Sequence, residues 1–157
     1  MLQIHVALSL IGIVSGLVVL YGLLSGRPLG GWTALFLATT VLTSVTGFPL
    51  APFGFDPPRA VGVISLVLLA LAVAALYVFR LAGAWRWVYV GSAIAALYLN
   101  VFVGVVQAFQ KLPFLQPLAP TQSEPPFLVT QVAVLAIFIV LGILAAIRFH
   151  PEREASA

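Results

Sequence analysis

Cysteine is absent from this 157-residue chain, which removes disulfides, thiolate metal sites and thiol nucleophiles from consideration. Charge is almost as scarce. Seven Lys and Arg and four Asp and Glu leave the chain 7% charged, against roughly a quarter in ordinary soluble domains. So few charged groups do not cover a water-facing surface, and a mean hydropathy of +1.18 carries the same message. The basic residues form no cluster that would track a phosphate backbone. Despite a sequence pI of about 9.8, no nucleic-acid partner is implied. Walker, GxSxG, HExxH and Gly-rich dinucleotide motifs are also missing, which points away from an enzyme and implies no cofactor.

What the chain has instead is long apolar runs, with 62% of its residues hydrophobic. Several of these runs reach the roughly 20 residues that a helix needs to cross a bilayer core. The expectation is an all-α polytopic helix bundle, an integral membrane protein whose first partner is the lipid bilayer, with residues 1–157 forming a single transmembrane domain. Gly, Pro and charge divide it into five segments at about 4–25, 31–48, 58–81, 84–110 and 126–149. The second is short, so a re-entrant second segment with four crossings is the alternative, and its backbone would have to be satisfied internally. The start, MLQIHVALSL, lacks a basic n-region, and SGR at 25–27 is a poor cleavage site. The first helix is therefore expected to be retained.

Five crossings put the termini on opposite sides. With the N-terminus outside, Arg27, Arg80, Arg86, Arg148 and Arg153 fall in the cytoplasm and only Arg59 and Lys111 outside. The positive-inside bias favours that orientation, with a cytoplasmic C-terminus. Trp32, Trp85 and Trp87 then share the cytoplasmic interface, a depth that suits their amphipathic rings.

Two acids sit in matching contexts, Asp56 in GFDPPR and Glu124 in TQSEPPF. A proline at the first helical position costs little, and it pushes the preceding residue into the extended conformation of an N-cap. A carboxylate there also meets the positive end of the helix dipole. Both acids thus read as helix starts, and any site would use them as its rim. The twin pattern also suggests a repeat of helices two and three as helices four and five.

Polar side chains gather towards the outer ends of particular helices. His5, Ser9, Gly12 and Gly16 share a face of the first helix by their spacing, and the GxxxG pair Gly12 and Gly16 invites close helix packing. Asn100, Gly104, Gln107 and Lys111 share a face of the fourth. Thr39, Thr40, Thr43, Ser44 and Thr46 crowd the second, and Thr130 and Gln131 open the fifth. All of these have a packing account, because hydroxyls return to their own backbone and amides bond across helices. They also have a functional one. His5, Asn100, Gln107, Gln131 and Glu124, with Asp56 and Arg59 at the rim, are the candidate ligand contacts of a recess opening outward.

The landmarks HVALSLIGIVSG at 5–16, GRPLGGW at 26–32, LTSVTGF at 42–48, FDPPRAVGVISL at 55–66 and AWRWVYV at 84–90, with ALYLNVFV and APTQSEPPF, resemble small bacterial inner-membrane proteins of unassigned function. The resemblance implies a bacterial inner membrane and no activity. A more distant likeness is to cytochrome b561-like polytopic proteins, which implies a histidine in the first helix and another near the start of the next. His5 meets the first condition, but RPLGGW at 27–32 has no histidine, and the haem is not carried over.

Three functional classes follow from this reading. The leading one is an accessory or binding module whose outer recess takes a small apolar ligand or a membrane partner protein, alone or as a homo-oligomer. The second is a small-solute or proton transporter or channel formed by an oligomer. The third is a haem- or quinone-linked redox protein, or a lipid-modifying enzyme, with Glu124 or Asp56 as acid or base beside His5.

Overall fold

The computed structural model of the chain describes residues 2–49 and 57–149. Asp56 and the tail from His150 onwards lie outside the described residues. Among the described residues there are five long helices and no strand: α1 (Leu2–Leu24), α2 (Gly30–Gly47), α3 (Pro57–Val73), α4 (Trp85–Lys111) and α5 (Pro125–Arg148).

Local chemistry explains the turns. Helix α1 stops where Gly26 adopts φ +72°, with Arg27 N–H donating to Gly22 O at 2.7 Å and Gly26 N–H to Leu23 O at 3.3 Å. That pair of reversed bonds closes a helix on a left-handed glycine. Helix α3, expected to run on to 81, instead changes its bonding at Ala74 into a π turn, Ala74–Val78. The chain then passes through Arg80 and Leu81 at φ +49° and +61°, a region that non-glycine residues rarely enter. Leu81 is buried beneath this turn, and Phe79 stacks on Trp85 with ring centroids 3.9 Å apart.

Helix α4 is the hub, packing against α1, α3 and α5. Tyr89, Ala93, Leu97 and Asn100 recur every three or four residues and are buried, so one side of the helix faces the core. Helix α2 packs on α1 and α3, and its apolar anchors are Phe36 and Leu37. Its threonines conceal their polarity locally, with Thr33, Thr39, Thr43 and Thr46 each donating to the carbonyl four residues back at 2.7–2.8 Å.

Four helices, Leu2–Leu24, Arg59–Val78, Trp85–Lys111 and Pro125–Arg148, are long and apolar enough to cross a membrane. Helix α2, counted as a fifth apolar span in the sequence, falls outside that group because threonine and glycine dilute it. The outer surface also fits lipid. Helix α5 buries only Phe127, Gln131, Phe138 and Ala145, while Val129, Val132, Ile139, Val140 and Ile147 are all more than half exposed along its length. Continuous exposed apolar faces of this extent are rare on water-soluble monomers.

Candidate functional site

A partly open recess of about 450 Å³ occupies the end of the bundle where α1 and α3 begin and α2 and α4 finish. Its polar lining comes from His5 and Ser9 on α1, Thr43 and Ser44 on α2, Arg59 on α3, and Asn100, Gln107 and Lys111 on α4. The walls between them are aliphatic, including Val6, Ile13, Leu99 and Val103.

Glycines let α1 meet α2 and α4 closely. A Cβ on Gly12 would lie 3.2 Å from Thr40 Oγ1 and 3.4 Å from Asn100 Nδ2. On Gly16 it would lie 2.5 Å from Leu97 Cδ1 and 2.9 Å from Phe36 Cδ2, so only glycine admits this approach without displacement. The floor of the recess is therefore tight. Asn100 Nδ2 donates to Thr40 Oγ1 at 3.2 Å, a buried bond joining α4 to α2. At the mouth, His5 comes against Gly47, whose added Cβ would lie 3.3 Å from the ring, and its Nδ1 lies 3.0 Å from Thr46 Oγ1. Since Thr46 also donates to Leu42 O, its oxygen is the acceptor and Nδ1 the donor when both bonds hold. Arg59 Nη2 donates to Phe48 O at 3.1 Å, which fixes its guanidinium beside the end of α2.

The recess differs from the rest of the bundle in the state of its polar groups. Elsewhere, hydroxyls return to their own helices, as at Ser15 to Ile11 O, Ser92 to Val88 O and Thr130 to Pro126 O, all at 2.6–2.7 Å. In the recess, Ser9, Ser44, Gln107 and Lys111 make no side-chain hydrogen bond to another described residue. These donors and acceptors face a common space, and an occupant with polar groups of its own can pair with them.

The structure thus brings together four of the sequence candidates, His5, Arg59, Asn100 and Gln107, and adds Lys111, Ser9 and Ser44. It puts two others elsewhere. Gln131 belongs to the buried seam of α5, in register with Phe127, Phe138 and Ala145, and its Nε2 donates to Phe102 O on α4 at 3.2 Å. Its Oε1 is buried without a partner among the described residues. Spacing placed Gln131 at the right depth, but the side of α5 that carries it meets α4 and not the recess.

Glu124 also departs from expectation. It occupies the N-cap position of α5 in extended conformation, but its carboxylate makes no bond to the helix. Oε1 accepts from Thr121 Oγ1 at 2.6 Å and Thr121 N at 3.1 Å, and Oε2 from Ser123 N at 3.1 Å. Pro125 and Pro126 supply no N–H to be capped, and the next donors, Phe127 and Leu128, reach the main-chain carbonyl of Glu124 at 3.1 and 3.2 Å. The acid is free to hold the loop before it. The Thr121 hydroxyl, followed by the backbone donors, keeps this carboxyl below the usual carboxylate range. That loop docks by burying Ala119 against Phe109 of α4 and Phe127 of α5, whose rings meet edge-on at 5.5 Å, and by Gln122 Nε2 donating to Val106 O at 3.4 Å.

At the opposite end, Arg86 Nη1 donates to Ala146 O at 2.8 Å and Phe149 O at 2.7 Å. Its guanidinium also lies 4.2 Å over the Trp87 ring. Among the described residues no three His, Asp or Glu gather as a metal site would require. Compared with family models, characterised proteins and solved structures, the chain matches none.

Proposed function

We propose that the chain is a five-crossing membrane protein, N-terminus outside, that binds a small ligand in the His5-end recess and performs no chemistry on it. The observation that carries this reading is the convergence of Ser9, Ser44, Gln107 and Lys111, all without protein partners among the described residues, on one space of about 450 Å³. That volume lies within the range of small-molecule sites, as does the pattern of apolar walls with a few polar groups. The resemblance of its landmarks supports a bacterial inner membrane as its location, and an accessory role beside a partner protein or a second copy is compatible with the same site.

Transport through one chain is disfavoured by the floor. Beneath Asn100, the side chains of Phe36 and Leu97 are buried against Gly16, and this packing separates the recess from the other end. Acid–base chemistry is disfavoured by the partners, because His5 faces a threonine hydroxyl and Glu124 is tied to its own loop.

Native mass spectrometry of the protein released from mild detergent tests the reading. The expected result is a discrete small-molecule adduct that disappears when Asn100→Leu and Gln107→Leu are combined. The fold should survive, since cross-helix side-chain bonds in membranes are worth only about 0.6 kcal/mol on average. Bare protein from the native membrane, or an adduct indifferent to both changes, overturns it.

A further inference from the structure

The composition of the recess narrows what it can hold, provided that it is a ligand site as proposed above. Lys111 stands in the last turn of α4, exposed, with no ion pair to a described residue and within electrostatic reach of His5. Arg59 faces the same space from the first turn of α3, steadied by Phe48 O. Two cations from different helices therefore border one opening, and no described residue in the lining is acidic. Gln107, one turn below Lys111, adds an amide donor. Deeper in, the walls become aliphatic. From Lys111 to Asn100 the helix rise gives a depth of roughly 16 Å.

The side of the recess is informative too. Leu2 and Leu10 line it and are 55% and 58% exposed, so the wall runs out onto the apolar flank of the bundle. A molecule already dissolved in lipid can reach the space from that flank with its tail leading. A neutral apolar ligand would fill the walls but leave Lys111, Gln107 and the serines without use. A small hydrophilic anion would satisfy the rim and leave the deep part empty.

We propose that the recess takes an amphiphile with an anionic head on a single aliphatic chain. The carboxylate or phosphate oxygens lie between Lys111, Arg59 and Gln107, where charge-assisted hydrogen bonds are strongest. The chain runs inward along Val6, Ile13 and Val103 towards Asn100. One tail fits a space of about 450 Å³ better than the two tails of a phospholipid. A free fatty carboxylate and a membrane phospholipid nevertheless offer the same kind of head, and the experiment separates them.

The full-length protein in mild non-ionic detergent is equilibrated with palmitate, with hexadecanol or with phosphatidylglycerol, and the bound fraction is read by native mass spectrometry. Palmitate is expected to bind at least tenfold more tightly than hexadecanol, which has the same chain and no charge. Combining Lys111→Gln with Arg59→Gln should erase that preference, and Lys111→Arg should retain it. Lys111 is exposed and has no ion pair to a described residue, so its replacement leaves the fold intact, as an unchanged unfolding transition will verify. Phosphatidylglycerol binding more tightly than palmitate, with the same dependence on Lys111, overturns the single chain and assigns the anionic head to the bilayer.

Equal binding of palmitate and hexadecanol, both lost in the Asn100→Leu and Gln107→Leu variant, overturns the anionic class and leaves the ligand-binding reading standing. Binding of none of the three probes overturns this inference alone, because the adduct carried from the native membrane judges the ligand-binding reading separately.

Discussion

At the Trp85 end of the bundle a cation is fully engaged. Arg86 bonds two carbonyls at the finish of α5 and lies over the Trp87 ring. Those carbonyls have no helical partner among the described residues, and the negative end of the helix dipole adds to the attraction. Phe149 and Tyr89 pack beneath with centroids 5.9 Å apart. At the His5 end, Lys111 has no such acceptor among the described residues, and neighbouring Ser9, Ser44 and Gln107 share its condition. One end uses its charge to hold helices together. The other presents charge and hydrogen-bonding groups to an open space. In a chain with so few charged residues, that contrast separates a structural cation from one available to a ligand.

The comparison breaks most sharply at Arg86. Arg86→Leu removes two hydrogen bonds from a charged donor, each worth roughly 1.5–3 kcal/mol, and leaves α5 carbonyls unpaired. A loss of about 3 kcal/mol is expected in denaturant unfolding of the detergent-solubilised protein. Lys111→Gln should stay within about 0.5 kcal/mol of wild type, as surface changes usually do. Equal losses at the two sites would erase the distinction between the ends.

Next in size is the boundary between the ends. Gly16→Ala would place a methyl 2.5 Å from Leu97 Cδ1 and 2.9 Å from Phe36 Cδ2. Both side chains are buried, and overpacking of this kind costs roughly 1–3 kcal/mol. Gly12→Ala, meeting its nearest atom at 3.2 Å, should cost less. The same unfolding measurement ranks the two. An indifferent Gly16→Ala would mean that α1 shifts easily and that the floor of the recess is not tight.

The all-helical class and the greasy exterior were legible in the sequence because they depend on run length and scarcity of charge. The spacing of His5, Gly12 and Gly16 gave the packed face of α1, since helical period alone decides which residues of one helix lie together. Relations between helices were less legible. Gln131 and Gln107 stand near opposite ends of a long loop and reach similar depths, but the rotation of α5 about its own axis sends Gln131 to Phe102 O. Nothing in local spacing encodes that rotation. The serine and threonine residues were equally ambiguous: Thr43 and Ser44 are adjacent and line the same recess, yet Thr43 returns its hydroxyl to Thr39 O while Ser44 leaves its own unpaired among described residues. The end of α3 was obscured for another reason, since left-handed Arg80 and Leu81 carry no glycine signal.

Glu124 gives the smallest expected effect and the finest division between helix start and loop clamp. Its carboxyl is held below its ordinary value of 4.5 first by the Thr121 hydroxyl, so the folded loop favours the ionised form. A group with a depressed native pKa stabilises the folded state above its unfolded pKa, and that contribution is lost as pH falls through the lower native value. Amide protection at Thr121 and Ser123 should therefore be level at neutral pH and decline once the pH passes below about 4.5. Glu124→Gln should begin at the lower level and show no such step. The amides of Phe127 and Leu128 should be unchanged in both proteins, because their acceptor is the main-chain carbonyl of residue 124. A pH step at Phe127 and Leu128 that Glu124→Gln abolishes would instead return the carboxylate to the role of helix cap.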